Sequence, residues 1–127
     1  MSTESCNQVY NLGEGETLRL NSINYPIDYP NNMHCEILLY AATPDRRLRF
    51  TVEDLETEYD HDIVEIGTGS NPQDASTLLM RQSGNGEVAP FRVETSNAWL
   101  TFDTDSWLTD RGYSIVVEEV AALGELR

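Results

Sequence analysis

The chain has 127 residues, enough for one hydrophobic core and too few for two ordinary domains. Its 22 acidic residues outnumber its 8 basic ones, and the formal net charge of −14 disfavours nucleic acid and anionic lipid and favours cationic partners. No apolar run approaches the roughly 18 residues of a membrane span, and the absence of lysine excludes Schiff-base chemistry on that side chain. We therefore expect one module, with no nucleic-acid partner and no membrane insertion.

Alternating apolar and polar residues predict strands along most of the chain. In order, these segments are 17–20, 35–39, 48–52, 63–66, 78–80, 98–102 and 113–117. Clusters rich in Gly, Pro, Asn and Asp separate them, as at 25–32, 43–45 and 67–72. Sustained helical periodicity is missing. The pattern predicts an all-β fold, a two-sheet antiparallel β-sandwich.

The two cysteines bear on the origin of the chain. Cys6 and Cys35 belong to no metal-type pair, and a disulfide between them would tie the amino-terminal arm to a strand. Two buried free thiols are the alternative. Met1 is either a cytosolic start or an expression start before an excised extracellular domain, and the cysteines favour the second. We expect an arm at 1–5, a domain at 6–119 and a tail or linker at 120–127.

Three acidic clusters border predicted strands, at 54–56, 59–62 and 102–105. If the strands bring Glu56, Asp62 and Asp105 together, their oxygens form a site suited to Ca²⁺, which prefers carboxylate, carbonyl and water ligands. The alternative is that these residues are solvated loop acids. Two distant histidines are too few for a zinc site.

Several motifs, taken in order, resemble those of CUB domains. The run Asn24-Tyr25-Pro26-Ile27-Asp28-Tyr29-Pro30-Asn31-Asn32-Met33-His34-Cys35 follows the earlier Cys6. The resemblance continues through 54–56, 62–66, 96–100, 102–105 and 112–115, and it covers roughly residues 6 to 118. It implies an extracellular, jelly-roll-like β-sandwich with a Cys6–Cys35 disulfide that serves as a binding module.

A calcium-binding subset of CUB domains has three carboxylates in similar positions. The resemblance implies Glu56, Asp62 and Asp105 as Ca²⁺ ligands, the backbone carbonyl of Trp107 as a further ligand, and Tyr25 as a supporting side chain. The second disulfide common in the family is missing, and Tyr59 and the region of Gly84 stand in its place. The spacing from Glu56 to Asp62 is also shorter than in family members that carry that cysteine.

The resemblance implies a non-catalytic module that recognises a protein partner through its Lys or Arg side chains. We predict that the partner contacts the following residues: Glu56, Asp60, His61, Asp62, Asp105 and Trp107. Catalysis is not expected, because the chain has no Gly-X-Ser-X-Gly motif and no phosphate-binding glycine loop. Two alternatives stay open: a structural, self-assembly or adhesion module that Ca²⁺ only stiffens, and a carbohydrate-binding module.

Overall fold

The computed structural model describes residues 2–4 and 6–122, and almost all of its regular secondary structure is β-strand. The ten strands are β1 Ser2–Glu4, β2 Gln8–Asn11, β3 Thr17–Asn21, β4 His34–Tyr40, β5 Arg46–Glu56, β6 Ile63–Thr68, β7 Leu78–Gln82, β8 Phe91–Val93, β9 Asn97–Asp103 and β10 Gly112–Ala121. A 3-10 turn, Ala75–Thr77, precedes β7. The predicted all-β class is confirmed.

The strands form two five-stranded sheets. One has the order β1-β3-β10-β5-β8 and the other the order β2-β4-β9-β6-β7. Neighbouring strands run antiparallel except at one edge of each sheet, where β1 lies parallel to β3 and β2 lies parallel to β4. The predicted antiparallel sandwich is therefore confirmed, with one parallel pair at an edge of each sheet. Within the described residues, we find no helix with the length and apolar character needed to span a bilayer.

The core lies between the sheets and is supplied by alternate residues of the central strands. On β4 the buried residues Cys35, Ile37 and Leu39 alternate with partly exposed ones, as the two-residue period of a strand requires. Phe102 of β9 packs edge-to-face against Tyr29, with ring centroids 4.9 Å apart. This aromatic contact extends the core to the end of the sandwich where the acidic clusters 59–62 and 102–105 lie.

Trp99 is buried on the outer face of the second sheet. Its neighbours Ala98 and Leu100 point into the core, so the strand period directs Trp99 outward. It is nevertheless only 1% exposed, because it lies over Gly67 of β6 and its indole N–H donates to the Thr77 hydroxyl at 3.0 Å.

Gly67→Ala should strongly destabilise the fold. An added Cβ would lie 2.1 Å from the ring of the buried Trp99, so we expect a loss of about 2 to 3 kcal/mol in the free energy of unfolding. Gly13→Ala is the matched control, since its nearest neighbour is a flexible Glu16 oxygen at 3.9 Å. Urea unfolding of both variants measures the difference, and equal midpoints would contradict the packing described here.

Cys6 and Cys35 form the predicted disulfide, with an S–S distance of 2.05 Å. The bridge joins the segment before β2 to β4. At the chain ends, β1 falls within the segment predicted as an arm and pairs with β3, and β10 continues two residues beyond the predicted domain end at 119. Residues 123–127 of the predicted tail lie outside the described residues.

Glu119 is a buried acid that ties three segments together. The carboxylate is 2% exposed and accepts hydrogen bonds from the amides of Gly15 at 2.9 Å and Ala42 at 3.1 Å. The Arg46 guanidinium donates to both of its oxygens, at 2.8 to 3.1 Å. Both oxygens are therefore satisfied, which is what allows a charged group in this position.

Candidate calcium and partner-binding site

Three carboxylates meet at one end of the sandwich. Glu58 and Asp62 lie in the turn between β5 and β6, and Asp105 follows β9. Because Ile63 of β6 pairs with Asp103 of β9, the segments at these strand ends are neighbours. One oxygen from each of the three acids lies within 4.8 Å of the others. We call Glu58, Asp62 and Asp105 the acidic trio.

Asp62 is the fixed centre of the acidic trio. It is fully buried, its Oδ2 accepts a hydrogen bond from the Tyr29 hydroxyl at 2.6 Å, and its Oδ1 accepts one from the Asp105 amide at 2.8 Å. The Thr57 hydroxyl donates to the Asp62 carbonyl at 2.8 Å. These contacts hold the carboxylate in one orientation before any ligand arrives. Burial and the bond to Asp62 also raise the pKa of Tyr29 above its ordinary range, so its hydroxyl stays a donor.

Glu58 is the member of the acidic trio whose carboxylate has an oxygen without a hydrogen-bond donor. Its Oε1 is buried without a hydrogen-bond partner among the described residues. Burial, followed by the nearby Asp105 carboxylate, raises the pKa of Glu58 above that of an ordinary glutamate. Without a cation, the carboxylates of Glu58 and Asp105 therefore repel each other, and no donor binds Glu58 Oε1 among the described residues.

The acidic trio fits a calcium ion in size and donor type. Ca²⁺ takes carboxylate oxygens at roughly 2.3 to 2.6 Å, so oxygens on opposite sides of the ion lie about 5 Å apart. The spread of 4.8 Å within the trio meets that requirement, and the unpartnered Oε1 of Glu58 is an available ligand atom. Because a divalent cation would remove the repulsion among the three acids, the residues present suit such an ion.

The structure brings Asp62 and Asp105 together as predicted from the sequence, but it places Glu58 beside them where we had named Glu56. Glu56 ends β5, pairs with Gly112 of β10 and bridges to Asn85 on its other side. Its negative charge acts on Arg111. The turn from β5 to β6 is short, so the residue two positions later reaches the acidic trio.

The supporting tyrosine also differs from the prediction. Tyr25 donates its hydroxyl hydrogen to Asp54 at 2.5 Å, and the Arg111 guanidinium binds the same carboxylate through two nitrogens at 2.6 and 2.7 Å. Tyr29, which we had not singled out, supports Asp62 instead. Both tyrosines precede a proline in the same motif, so the sequence signal applied equally to either.

The other predicted partner-contact residues, Asp60, His61 and Trp107, lie around the acidic trio. Trp107 is exposed, and its carbonyl, the predicted backbone ligand, accepts a hydrogen bond from the Asn31 side chain at 3.3 Å. His61 lies 3.6 Å from Asp105 through its Nδ1. Asp60 is exposed and adopts a left-handed backbone with φ of 65°. These positions leave all three side chains accessible to a partner.

The region where the family commonly has its second disulfide is closed by other contacts. Thr57 donates its amide hydrogen to the Gly84 carbonyl at 3.1 Å, and its hydroxyl accepts from the Gly84 amide at 3.0 Å. The Tyr59 ring lies 3.0 Å from the point where a Cβ at position 84 would stand, and Gly84 has a φ of +72°. A glycine at 84 therefore leaves room for the edge of the Tyr59 ring, although Tyr59 itself is 76% exposed.

A separate cleft of about 390 Å³ lies beside β5 and is lined by residues 52–55 and 85–88. Two of its acids already have cationic partners, since Glu53 pairs with Arg19 and Asp54 pairs with Arg111. The contact with Arg111 is the main cause that holds the pKa of Asp54 below its usual range. These paired acids do not offer the free oxygens that the acidic trio offers.

The CUB domain family profile matches residues 6–116. The chain belongs to the CUB domain family. Fibropellin-1 of Strongylocentrotus purpuratus is 36% identical over 111 residues, which are 84% of this chain and 10% of that protein. Cubilin of Canis lupus familiaris is 32% identical over 117 residues, which are 87% of this CUB domain and 3% of that protein. The CUB domain thus spans only a small part of the relatives it matches.

Solved structures support the same fold. The full extracellular region of zebrafish Gpr126/Adgrg6 aligns with a TM-score of 0.77 at 22% identity, over 93% of this chain and 15% of that one. The MASP-1 CUB2 domain, solved bound to Ca²⁺, aligns with a TM-score of 0.70 at 18% identity, over 87% of this chain and 96% of that one. As a CUB domain, the chain is a non-catalytic interaction module.

Proposed function

We propose that this CUB domain is a calcium-dependent recognition module of an extracellular protein, which binds a protein partner through the partner's Lys or Arg side chains. The observation that carries the proposal is the acidic trio, with three carboxylate oxygens within 4.8 Å and Glu58 Oε1 unpartnered. The calcium-bound MASP-1 CUB2 domain supports it by likeness of fold.

The acidic trio would hold the ion, and the Trp107 carbonyl is a fourth candidate ligand. When bound, Ca²⁺ supplies positive charge that stops the three carboxylates from repelling one another. Tyr29 and the Asp105 amide fix the Asp62 carboxylate, which would be one of the residues that hold the ion. Asp105 also accepts a hydrogen bond from the Trp107 amide at 3.1 Å, so ordering of Asp105 would order the start of the exposed loop.

The partner's cation would approach the outer side of the acidic trio. Asp105 and Glu58 are only partly buried, and Asp60, His61 and Trp107 lie around them as contact candidates. The net charge of −14 would steer a basic partner toward the domain and make association sensitive to salt. Buried Asp62 would act on the partner through the ion and through Asp105, because it is not itself accessible.

An extracellular location fits the chemistry of the chain. The Cys6–Cys35 disulfide is of a kind that persists in oxidising compartments. The structural neighbour from zebrafish Gpr126/Adgrg6 is itself an extracellular region. Extracellular calcium is abundant enough to fill even a site of modest affinity.

Glu58→Gln should weaken calcium binding at least tenfold, about 1.4 kcal/mol, because it replaces a charged ligand with a neutral one. Glu56→Gln is the matched control, since Glu56 has the same chemistry two residues away but lies outside the acidic trio. Isothermal titration calorimetry on both variants measures the affinities. If only the Glu56 variant lost calcium affinity, Glu56 and not Glu58 would be the ligand. If both variants kept their calcium affinity, neither acid would be a ligand.

A further inference from the structure

Three large apolar side chains on the loops next to the acidic trio face solvent. Ile27 is 71% exposed, Trp107 is 73% exposed and Leu108 is 58% exposed. We call these three residues the apolar rim. Exposed apolar groups that cluster in this way mark interaction surfaces more often than scattered single ones do.

Two loops that lie side by side present the apolar rim. The Tyr29 amide donates to the Asp110 carbonyl at 3.1 Å, and the Thr109 hydroxyl donates to the Asp28 carboxylate at 3.0 Å. These contacts hold the residues next to Ile27 against the residues next to Leu108. The two loops therefore form one continuous surface.

The same loops are tied directly to the acidic trio. Tyr29 binds Asp62, and the Asn32 amide donates to the Asp105 carbonyl at 2.8 Å. The Thr104 hydroxyl donates to the Pro30 carbonyl at 3.0 Å. Because these hydrogen bonds and the buried Tyr29 ring fix the loops without using the apolar rim, the exposed side chains are left available in a preorganised arrangement, which lowers the entropic cost of binding.

We propose that the apolar rim is the second half of the partner site, and that the partner presents a basic residue flanked by apolar side chains in one extended segment. The inference rests on the proposed function, in which the basic residue approaches the acidic trio. Charge favours a basic peptide over a membrane, since the carboxylates beside the rim would repel anionic lipid. An exposed tryptophan at the edge of a charged site is a suitable anchor for such a segment.

Trp107 offers a direct reporter for this proposal. The only other tryptophan, Trp99, is buried at 1% exposure, so a change in emission on binding reports on Trp107. The probes are capped peptides Gly-Gly-Leu-Lys-Leu-Gly-Gly and Gly-Gly-Ser-Lys-Ser-Gly-Gly, titrated in calcium with phosphatidylcholine vesicles as a third arm. We expect the leucine-flanked peptide to shift Trp107 emission to the blue and to bind at least tenfold more tightly than the serine-flanked one.

Variants that retain Trp107 separate this inference from the proposed function. Ile27→Ser and Leu108→Ser should remove the preference for the leucine-flanked peptide and leave calcium affinity unchanged. Leu79→Ser, at a residue 51% exposed on β7, is the matched control and should change neither. Equal affinity for the two peptides would overturn the apolar-rim proposal, and so would no measurable binding of either peptide. A blue shift of Trp107 emission with vesicles but with neither peptide would also overturn it. If calorimetry detects no calcium binding to the unmodified domain, the proposed function fails and the apolar-rim proposal fails with it.

Discussion

Replacing Asp62 with alanine should abolish calcium binding and also destabilise the calcium-free domain. The side chain is buried and accepts hydrogen bonds from the Tyr29 hydroxyl and the Asp105 amide. Its loss leaves two donors without that partner, and each unsatisfied buried donor costs roughly 1 to 3 kcal/mol. Relief of repulsion with Glu58 offsets part of this cost, so we expect a net loss of about 2 kcal/mol.

Calorimetry measures the loss of calcium binding in Asp62→Ala, and urea unfolding in the presence of a chelator measures the loss of stability. Asp60→Ala is the control, since Asp60 is exposed and is not part of the acidic trio. We expect Asp60→Ala to change stability by less than about 0.5 kcal/mol. If Asp62→Ala keeps the stability and calcium affinity of the unmodified domain, the hydrogen bonds assigned to Asp62 are not formed in solution.

Arg46→Met should destabilise the domain by about 3 to 5 kcal/mol, because it leaves the buried Glu119 carboxylate without its cation. The Arg46→Met, Glu119→Met double variant should recover most of that loss, since it removes both charges together. Arg49→Met is the matched control: the Arg49–Glu118 pair has side chains 42% and 40% exposed and should contribute less than about 1 kcal/mol. Urea unfolding of the three variants gives the comparison, and equal losses from Arg46→Met and Arg49→Met would contradict the buried pair.

The same buried acid predicts how stability depends on pH. Burial favours the neutral form of Glu119, but Arg46 and the amides of Gly15 and Ala42 outweigh it and hold the pKa below its usual value. A folded-state pKa below the unfolded one gives stability that is present above the unfolded pKa of about 4.3 and lost as pH falls through the folded pKa. Glu119→Gln should therefore flatten the decline in stability over that acidic range. An unchanged slope would mean that Glu119 titrates normally.

The longer strands could be predicted from the sequence because the two-residue period is a direct consequence of a sandwich with one buried face per strand. The segments 35–39, 98–102 and 113–117 fall within β4, β9 and β10. The short edge strands β1, β2 and β8 were not predicted. Each has only three or four residues, too few for a two-residue period to be recognised, and each lies beside a longer strand that supplies its hydrogen-bond partners.

The sequence predicted which loops form the candidate site, but not which residue of each loop points into it. Asp62 and Asp105 adjoin long, strongly patterned strands, so their positions follow from the strand pairing. Glu58 and Tyr29 lie in turns, where the backbone path decides which of two similar residues points inward. The turn from β5 to β6 is short, and a repeated Tyr-Pro pair offers two equivalent tyrosines, so the motif alone favoured Glu56 and Tyr25.

The most direct test of the proposed function is thermal unfolding of the chelated domain as calcium is titrated in, with magnesium as the control. A ligand that binds only the folded state at a hundred times its dissociation constant adds about 2.7 kcal/mol, which for a domain of this size is a rise in Tm of about 10 °C. We expect a saturable rise with calcium and little change with magnesium, which demands a smaller, more rigid coordination shell. Absence of a calcium-dependent shift would contradict a calcium site at Glu58, Asp62 and Asp105.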